Sequence, residues 1–487
     1  MSKKVLSILS LVAVISLVGC KSKKPENGID EQGNVKLTFA GRSNDNEKEN
    51  YRQFINDFQK AYPNYTIEFK WYENEETYNL ALKNSLKNLP DVFMLSDDQF
   101  IPYAEGGFLA DYKEFVNMDE LKTLVYDYGA EAYCYNTVTD KYGWDANDPN
   151  CGFYGYPKDQ GPYAIMYNKT LFKSLMNTYN SRPSISEEQK IKLPSATNPY
   201  TFDEFITVCE KLKDASDNDS FYPCAGYDFD SAIYSNNADY FDETASTQKI
   251  DQDNFIEAVE FIRNLYSYGC IAPYGGTIGS GENAFIGGRC VFFYAGPWKC
   301  KDYWKSITQF EWDLIPVCVG PAAGAKSTAY IGSMGYVISN KSPVKEQAAV
   351  LAKYLATNEN SQRSQYMRGQ AIPNLRSMAD EFINDSLGLL KGKGPANRSV
   401  WIDVIDGCGQ TKIDDGGVSY TDIVTGKYRP GRFTYSSTWR TDLSNWLAGQ
   451  GSNGKNVWKG QITPRESLLA FASTMQAYLD QMKIQSE

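Results

Sequence analysis

The sequence predicts an α/β protein built on open sheets with helices laid against their faces. Three observations lead there. Between Val35 and Leu95 the apolar residues alternate, then recur at helical spacing, then alternate again, which reads as strand–helix–strand–helix–strand. The last run, Val92-Phe93-Met94-Leu95, is continuously apolar, as in a parallel strand covered on both faces. The chain has 487 residues, too many for one hydrophobic core and suited to two or three domains.

Val35, Leu37 and Phe39 alternate as a first strand, followed by the polar loop Gly41 to Asn46. Tyr51, Phe54, Ile55 and Phe58 share one face of a helix that Pro63-Asn64 ends. Ile67, Phe69 and Trp71 mark a second strand, and a helix around Tyr78 to Leu86 leads to Pro90 and the third. Thr201 and Glu204 form a capping box before Phe205, Ile206, Cys209 and Leu212. Phe255, Val259, Ile262 and Tyr266 mark another helix, and Cys290 to Tyr294 a buried strand. Ser342 and Pro343 read as an N-cap and first helical residue, and Thr463, Pro464 and Glu466 open a final capped helix. Gly392 to Asn397 and Gly449 to Gly460 are surface connections, and no short-period repeat occurs.

The head of the chain has its own chemistry. Lys3 and Lys4 precede an apolar run from Val5 to Val18, too short for a stable membrane span and suited to an export signal. Leu17-Val18-Gly19-Cys20 resembles the bacterial lipobox, which implies a signal peptide over 1–19, lipidation of Cys20 and a polar tether over 20–34. The expected location is outside the cytoplasm, facing the periplasm or cell exterior, held to the membrane by lipid.

Removal of that signal leaves 468 residues and moves the net charge from −11 to −13. An acidic surface disfavours nucleic acid as a partner. There is no histidine, so Ser-His-Asp and Cys-His catalysis and histidine-ligated zinc are excluded; no metal or cofactor is expected. Beyond Cys20 there are nine cysteines and no CxxC spacing. Export permits disulfides, with Cys134–Cys151 and Cys209–Cys224 as short loops, and buried free thiols are the equal alternative.

Ligands of open α/β sheets collect beyond the carboxyl ends of the strands. Two loops lie there. One carries Ser43, Asn44 and Asp45, the other Asp97, Asp98 and Gln99. Their carboxylates and amides suit vicinal hydroxyls. Residues of these types also cap helices and form turns.

Five blocks in order carry a resemblance. They are PDVFMLSDDQFIPYAEGGFLAD (90–111), YPKDQGPYAIMYNKTLF (156–172), AFIGGRCVFFYAGPW (284–298), the stretch 328–360 containing Gly332-Ser333-Met334-Gly335 and YLATNENSQ, and Ala371-Ile372-Pro373. Together they resemble the family 1 extracellular solute-binding proteins of bacterial ABC importers, which include maltose-binding proteins. The resemblance implies the two-lobed, periplasmic-binding-protein-like fold of class II. Each lobe is an open, mostly parallel sheet flanked by helices, with a cleft at the hinge. By analogy lobe 1 spans 35–138 plus 326–372, and lobe 2 spans 139–325 plus 373–487.

Carried over residue by residue, Asp98 and Gln99 match an acidic and a basic contact of the maltose binders, with Gln99 lacking the charge. Asp45 matches another acidic contact, whose basic neighbour is replaced by Asn46. Gly161 stands where those proteins are acidic, so Asp159, Gln160 or Tyr163 would compensate. Gly332 and Ser333 fall in the returning block. Trp298 matches an aromatic platform, and Trp439 loosely resembles a second. A sugar's C–H face packs on such a ring while its hydroxyls reach polar groups. The expected function is non-enzymatic capture of a carbohydrate, an oligosaccharide by preference, and delivery to ABC permease subunits by a monomer. A carboxylate-dependent glycosidase and a carrier of a non-sugar solute are the alternatives.

Overall fold

A computed structural model describes residues 28–42, 45–139, 141–242, 246–276, 281–407, 424–427, 437–451 and 454–484. The signal peptide, Cys20, most of the tether, Ser43, Asn44 and Cys408 lie outside the described residues.

The first five predicted elements form as read. Strand Val35–Arg42, helix Asp45–Ala61, strand Tyr65–Tyr72, helix Glu75–Asn84 and strand Val92–Ser96 follow in order. Val35–Arg42 pairs in parallel with both other strands. Its inward residues Leu37 and Phe39 are fully buried, with Tyr51, Phe54 and Phe58 of the first helix packed on them. Strand Met334–Ile338 adds to this sheet antiparallel to Val92–Ser96, and Gly155–Pro157 adds to that in turn. The order is therefore 65–72, 35–42, 92–96, 334–338, 155–157.

A second sheet centres on Ala164–Asn168, flanked antiparallel by Phe292–Ala295 and Trp312–Ile315. Cys224 bridges in parallel to Phe292 and Ile271 beyond it. Here the expectation of a mostly parallel sheet needs correction, since the three strands of the named sheet all pair antiparallel. The reason is shared with the first sheet. The antiparallel strand in each has just arrived from elsewhere: 164–168 follows 155–157 of the first sheet, and 334–338 follows 327–332, which belongs to a separate three-stranded sheet with 161–162 and 424–427. A strand native to a sheet ends at the boundary between the two. A strand that has just crossed begins there and must run the other way.

Caps hold the helices as predicted, with one exception. Thr201 and Glu204 exchange bonds of 3.1 and 2.8 Å ahead of helix Phe202–Asp214, and Thr463 with Glu466 does the same ahead of Pro464–Ile484. Ser342 does not cap. Its hydroxyl donates to Asp91 Oδ1 at 2.7 Å, and the helix starts later, at Lys345. The proposed disulfide loops are also absent: all eight described cysteines, Cys134, Cys151, Cys209 and Cys224 among them, are free and buried. No described helix is long and apolar enough to cross a membrane.

Candidate functional site

Two crossing strands lie side by side between the sheets. Gly161–Pro162 pairs antiparallel with Ile331–Gly332, and Tyr163 N–H donates to Tyr330 O at 2.9 Å. A third crossing is pinned to them: the Asn374 amide donates to Pro157 O at 2.8 Å, and Asn374 N–H to Gln362 Oε1 at 2.8 Å. Above these crossings opens a cavity of about 300 Å³. The crossings supply its floor, Lys158 to Gly161 with Gly332 to Met334, and Arg42, Glu47, Met94, Pro297, Trp298, Gln370 and Ala371 complete the lining.

Trp298 is the exposed aromatic of this cavity, at 40%. Its position depends on glycine. A Cβ on Gly296 would overlap the indole at 1.8 Å, and one on Gly161 would meet it at 2.8 Å. Tyr163 supports the ring edge-on at 5.3 Å and 87°, and Tyr330 and Tyr294 pack on Tyr163 at 5.7 and 5.6 Å. The indole is thus a flat apolar surface with a rigid base.

The charged groups of the cavity come in pairs. Lys158, only 5% exposed, reaches Glu47 at 3.3 Å and Asp159 at 2.6 Å. Burial pulls the Lys158 pKa down, but the two carboxylates, Asp159 foremost, outweigh it and hold the ammonium above its usual range. Arg42 pairs with Glu75 at 3.1 Å. Behind the floor, the Tyr51 and Tyr336 hydroxyls share a 2.7 Å bond, and burial drives both phenols well above the ordinary tyrosine value.

The structure gathers only part of the predicted set. Asp159, Gln160, Trp298, Gly332 and Ser333 line the cavity. Tyr163 lies beneath the platform. Asp45 opens the first helix, and its side chain is outside the described set. The loop after Val92–Ser96 bonds within itself and to its neighbours: Asp98 accepts from the Ser96 hydroxyl, Gln99 donates to Glu75 at 3.4 Å, and Asp97 is 4% exposed with its N–H on Ser333 O. None of these three lines the cavity. Trp439, expected as a second platform, lies outside the cavity lining. It is 2% exposed and packs against Tyr240 and Phe241, each at 5.1 Å, because helix Ser437–Leu447 turns that face into the core. Arg42, Glu47, Lys158 and Gln370 were missed. Lys158 stands beside Asp159 in a block already singled out, but nothing local in the sequence ties it to Glu47.

Residues 44–362 match the profile described as bacterial extracellular solute-binding protein. The chain belongs to that family. A maltotriose-binding protein of Pyrococcus abyssi is 23% identical over 275 residues, 55% of this chain and 51% of that protein. The chain thus spans about half the length of the curated relative it matches. Among solved structures, the fold is similar to an ABC substrate-binding protein of Listeria monocytogenes in complex with cycloalternan (TM-score 0.65, 17% identity, 92% of this chain and 99% of that one). It is also similar to the cyclic α-maltosyl-1,6-maltose binding protein of Arthrobacter globiformis (TM-score 0.65, 16%, 92% and 99%) and to the sugar-binding protein MalE of Xanthomonas citri (TM-score 0.63, 14%, 92% and 98%). These matches establish the two-lobed solute-binding fold.

Proposed function

We propose that this solute-binding protein captures an uncharged carbohydrate, an oligosaccharide by preference, on Trp298 and releases it unchanged to the permease of an ABC importer. The observation that carries this reading is the exposed indole of a cavity whose Arg42, Glu47, Lys158 and Asp159 each already have an ion-pair partner. A charged solute would have to break one of those pairs. A sugar needs only a flat apolar surface and neutral hydrogen-bonding groups. The sugar-binding relatives support the same class. The lipobox supports tethering through Cys20 outside the cytoplasm. We place the exchange of chain between lobes at 158–163, 329–333 and 371–374, in preference to breaks at 138/139 and 325/326, because Gly155–Pro157 is hydrogen-bonded into the first sheet.

The test is a thermal-shift screen of the mature soluble protein against maltose, maltotriose, cyclic glucans and xylo-oligosaccharides. A ligand present at 100 times its Kd adds about 2.7 kcal/mol of stability and a corresponding rise in Tm. No shift with any sugar, or release of shorter sugars on incubation, would overturn the proposal.

A further inference from the structure

The two paired crossings do not keep one register. Tyr156 opposes Tyr336 and Pro157 opposes Gly335, yet Gly161 opposes Gly332 and Pro162 opposes Ile331. Lys158, Asp159 and Gln160 therefore face only Ser333 and Met334. One extra residue on one strand is a β-bulge, which bends the strand and leaves the ladder locally broken.

The hydrogen bonds show what replaces the ladder. Lys158 N–H donates to Met334 O at 2.7 Å, as a regular pair requires. The reciprocal bond is missing. Met334 N–H donates instead to the side chain of Asp159, Oδ1, at 3.1 Å, and the Lys158 carbonyl turns to the Gln362 amide at 3.4 Å. The Ser333 hydroxyl donates to Asp159 O at 2.7 Å, while Ser333 O accepts from Asp97 N–H at 3.1 Å. The second oxygen of Asp159 accepts from Lys158 Nζ at 2.6 Å, and Lys158 extends to Glu47 on the first helix.

We propose that Asp159 is a positioning residue of the hinge rather than a contact for the solute: its carboxylate holds the bulge that sets the angle at which Gly161 and Trp298 are presented to the first lobe. Any opening or closing of the lobes must bend the paired crossings. A regular ladder resists this, because its donors and acceptors are all fixed to the backbone. At the bulge one backbone donor is held by a side chain, which rotates and keeps its bond as the backbone angle changes. Asp159 is also where both crossings and the first helix meet, through Lys158 and Glu47. The proposal rests on the two-lobed fold and on no ligand.

Hydrogen–deuterium exchange of the ligand-free mature chain tests it. Asp159→Ala removes the acceptor for Met334 N–H. Exchange in peptides covering 158–163 and 331–336 should accelerate about five- to tenfold, with 35–42 and 92–96 unchanged. Asp159→Asn keeps an acceptor oxygen and should stay within about twofold of wild type at the same peptides. Ser333→Ala, which removes one bond to the bulge, should give about a threefold local rise, and it carries the test should the alanine variant at 159 fail to fold. Unchanged exchange at the hinge, a uniform rise across both sheets, or an asparagine variant no better protected than alanine would each overturn the proposal. No readout uses a solute, so failure of the carbohydrate reading and failure of the hinge reading are separable.

Discussion

Gly161→Ala isolates the aromatic platform from the stability of the fold. The added methyl would sit 2.8 Å from Cζ3 of Trp298 and 3.2 Å from Cε3, against an ordinary contact of 3.4 Å or more. Either the ring or the crossing strand must move. The strand is paired on one edge to Gly332, whose carbonyl would lie at an acceptable 3.4 Å, and Gly161 has no left-handed φ that alanine would strain. The indole is 40% exposed, so the ring gives way. Stability should therefore fall by less than about 1 kcal/mol. Affinity for the sugar found in the screen should fall about tenfold, because a tilted ring loses roughly 1.4 kcal/mol of contact. Trp298→Ala, which removes the ring, should cost about 2–3 kcal/mol, or 30- to 150-fold. Isothermal titration alongside urea denaturation measures both quantities. The reasoning is refuted if Gly161→Ala binds the sugar within twofold of wild type, or if its loss of stability matches its loss of affinity.

Other outcomes follow from the same contacts. Trp439→Ala should destabilise by about 3–5 kcal/mol in urea while leaving sugar affinity unchanged in the folded fraction; a large affinity loss would return Trp439 to the site. Lys158→Met leaves Glu47 and Asp159, 12% and 17% exposed, as buried carboxylates without their cation, and should cost about 3–5 kcal/mol; a loss below about 1 kcal/mol would mean the triad is not structural. Burial holds the phenols of Tyr51, Tyr112, Tyr133 and Tyr336 well above their usual value, and Lys158 is held high by its carboxylates against the effect of burial. In each case the unfolded group loses its proton first, near pH 10, so stability should be level below that pH and fall as the pH rises beyond it; flat stability to pH 12 would contradict the shifts. Burial also raises the thiol pKa values of Cys209, Cys224, Cys300 and Cys318, so iodoacetamide should label these peptides only after denaturation; rapid native labelling would show that they are accessible.

Much of the fold was legible in the chain because its signals are local. The period-two runs at Val35–Phe39 and Ile67–Trp71, the helical spacing from Tyr51 to Phe58 and the capping boxes at Thr201 and Thr463 each need only a few neighbouring residues to be read. The ordered blocks from Pro90 to Pro373 carried the resemblance to the family, and the glycines and Pro297 around Trp298 belong to one of them. The absence of histidine closed off several chemistries without any structure. What failed locally failed for a nameable reason. Ser342 is a sound N-cap by type, yet its hydroxyl donates to Asp91, distant in sequence and just ahead of strand Val92–Ser96.

Only the tertiary structure decided which polar residues are available to a solute. Asp98 and Gln99 look like ligand groups in sequence; in the fold they bond to Ser96 and Glu75 and lie outside the cavity lining. Trp298 and Trp439 are equivalent as letters, and long-range packing leaves one at the cavity and sends the other into the core. Glu47 and Lys158 become partners only when the first helix docks beside a crossing strand. Backbone form follows from neighbours in the chain. The environment of a side chain follows from neighbours in space, and those are set only once the sheets and their crossings have come together.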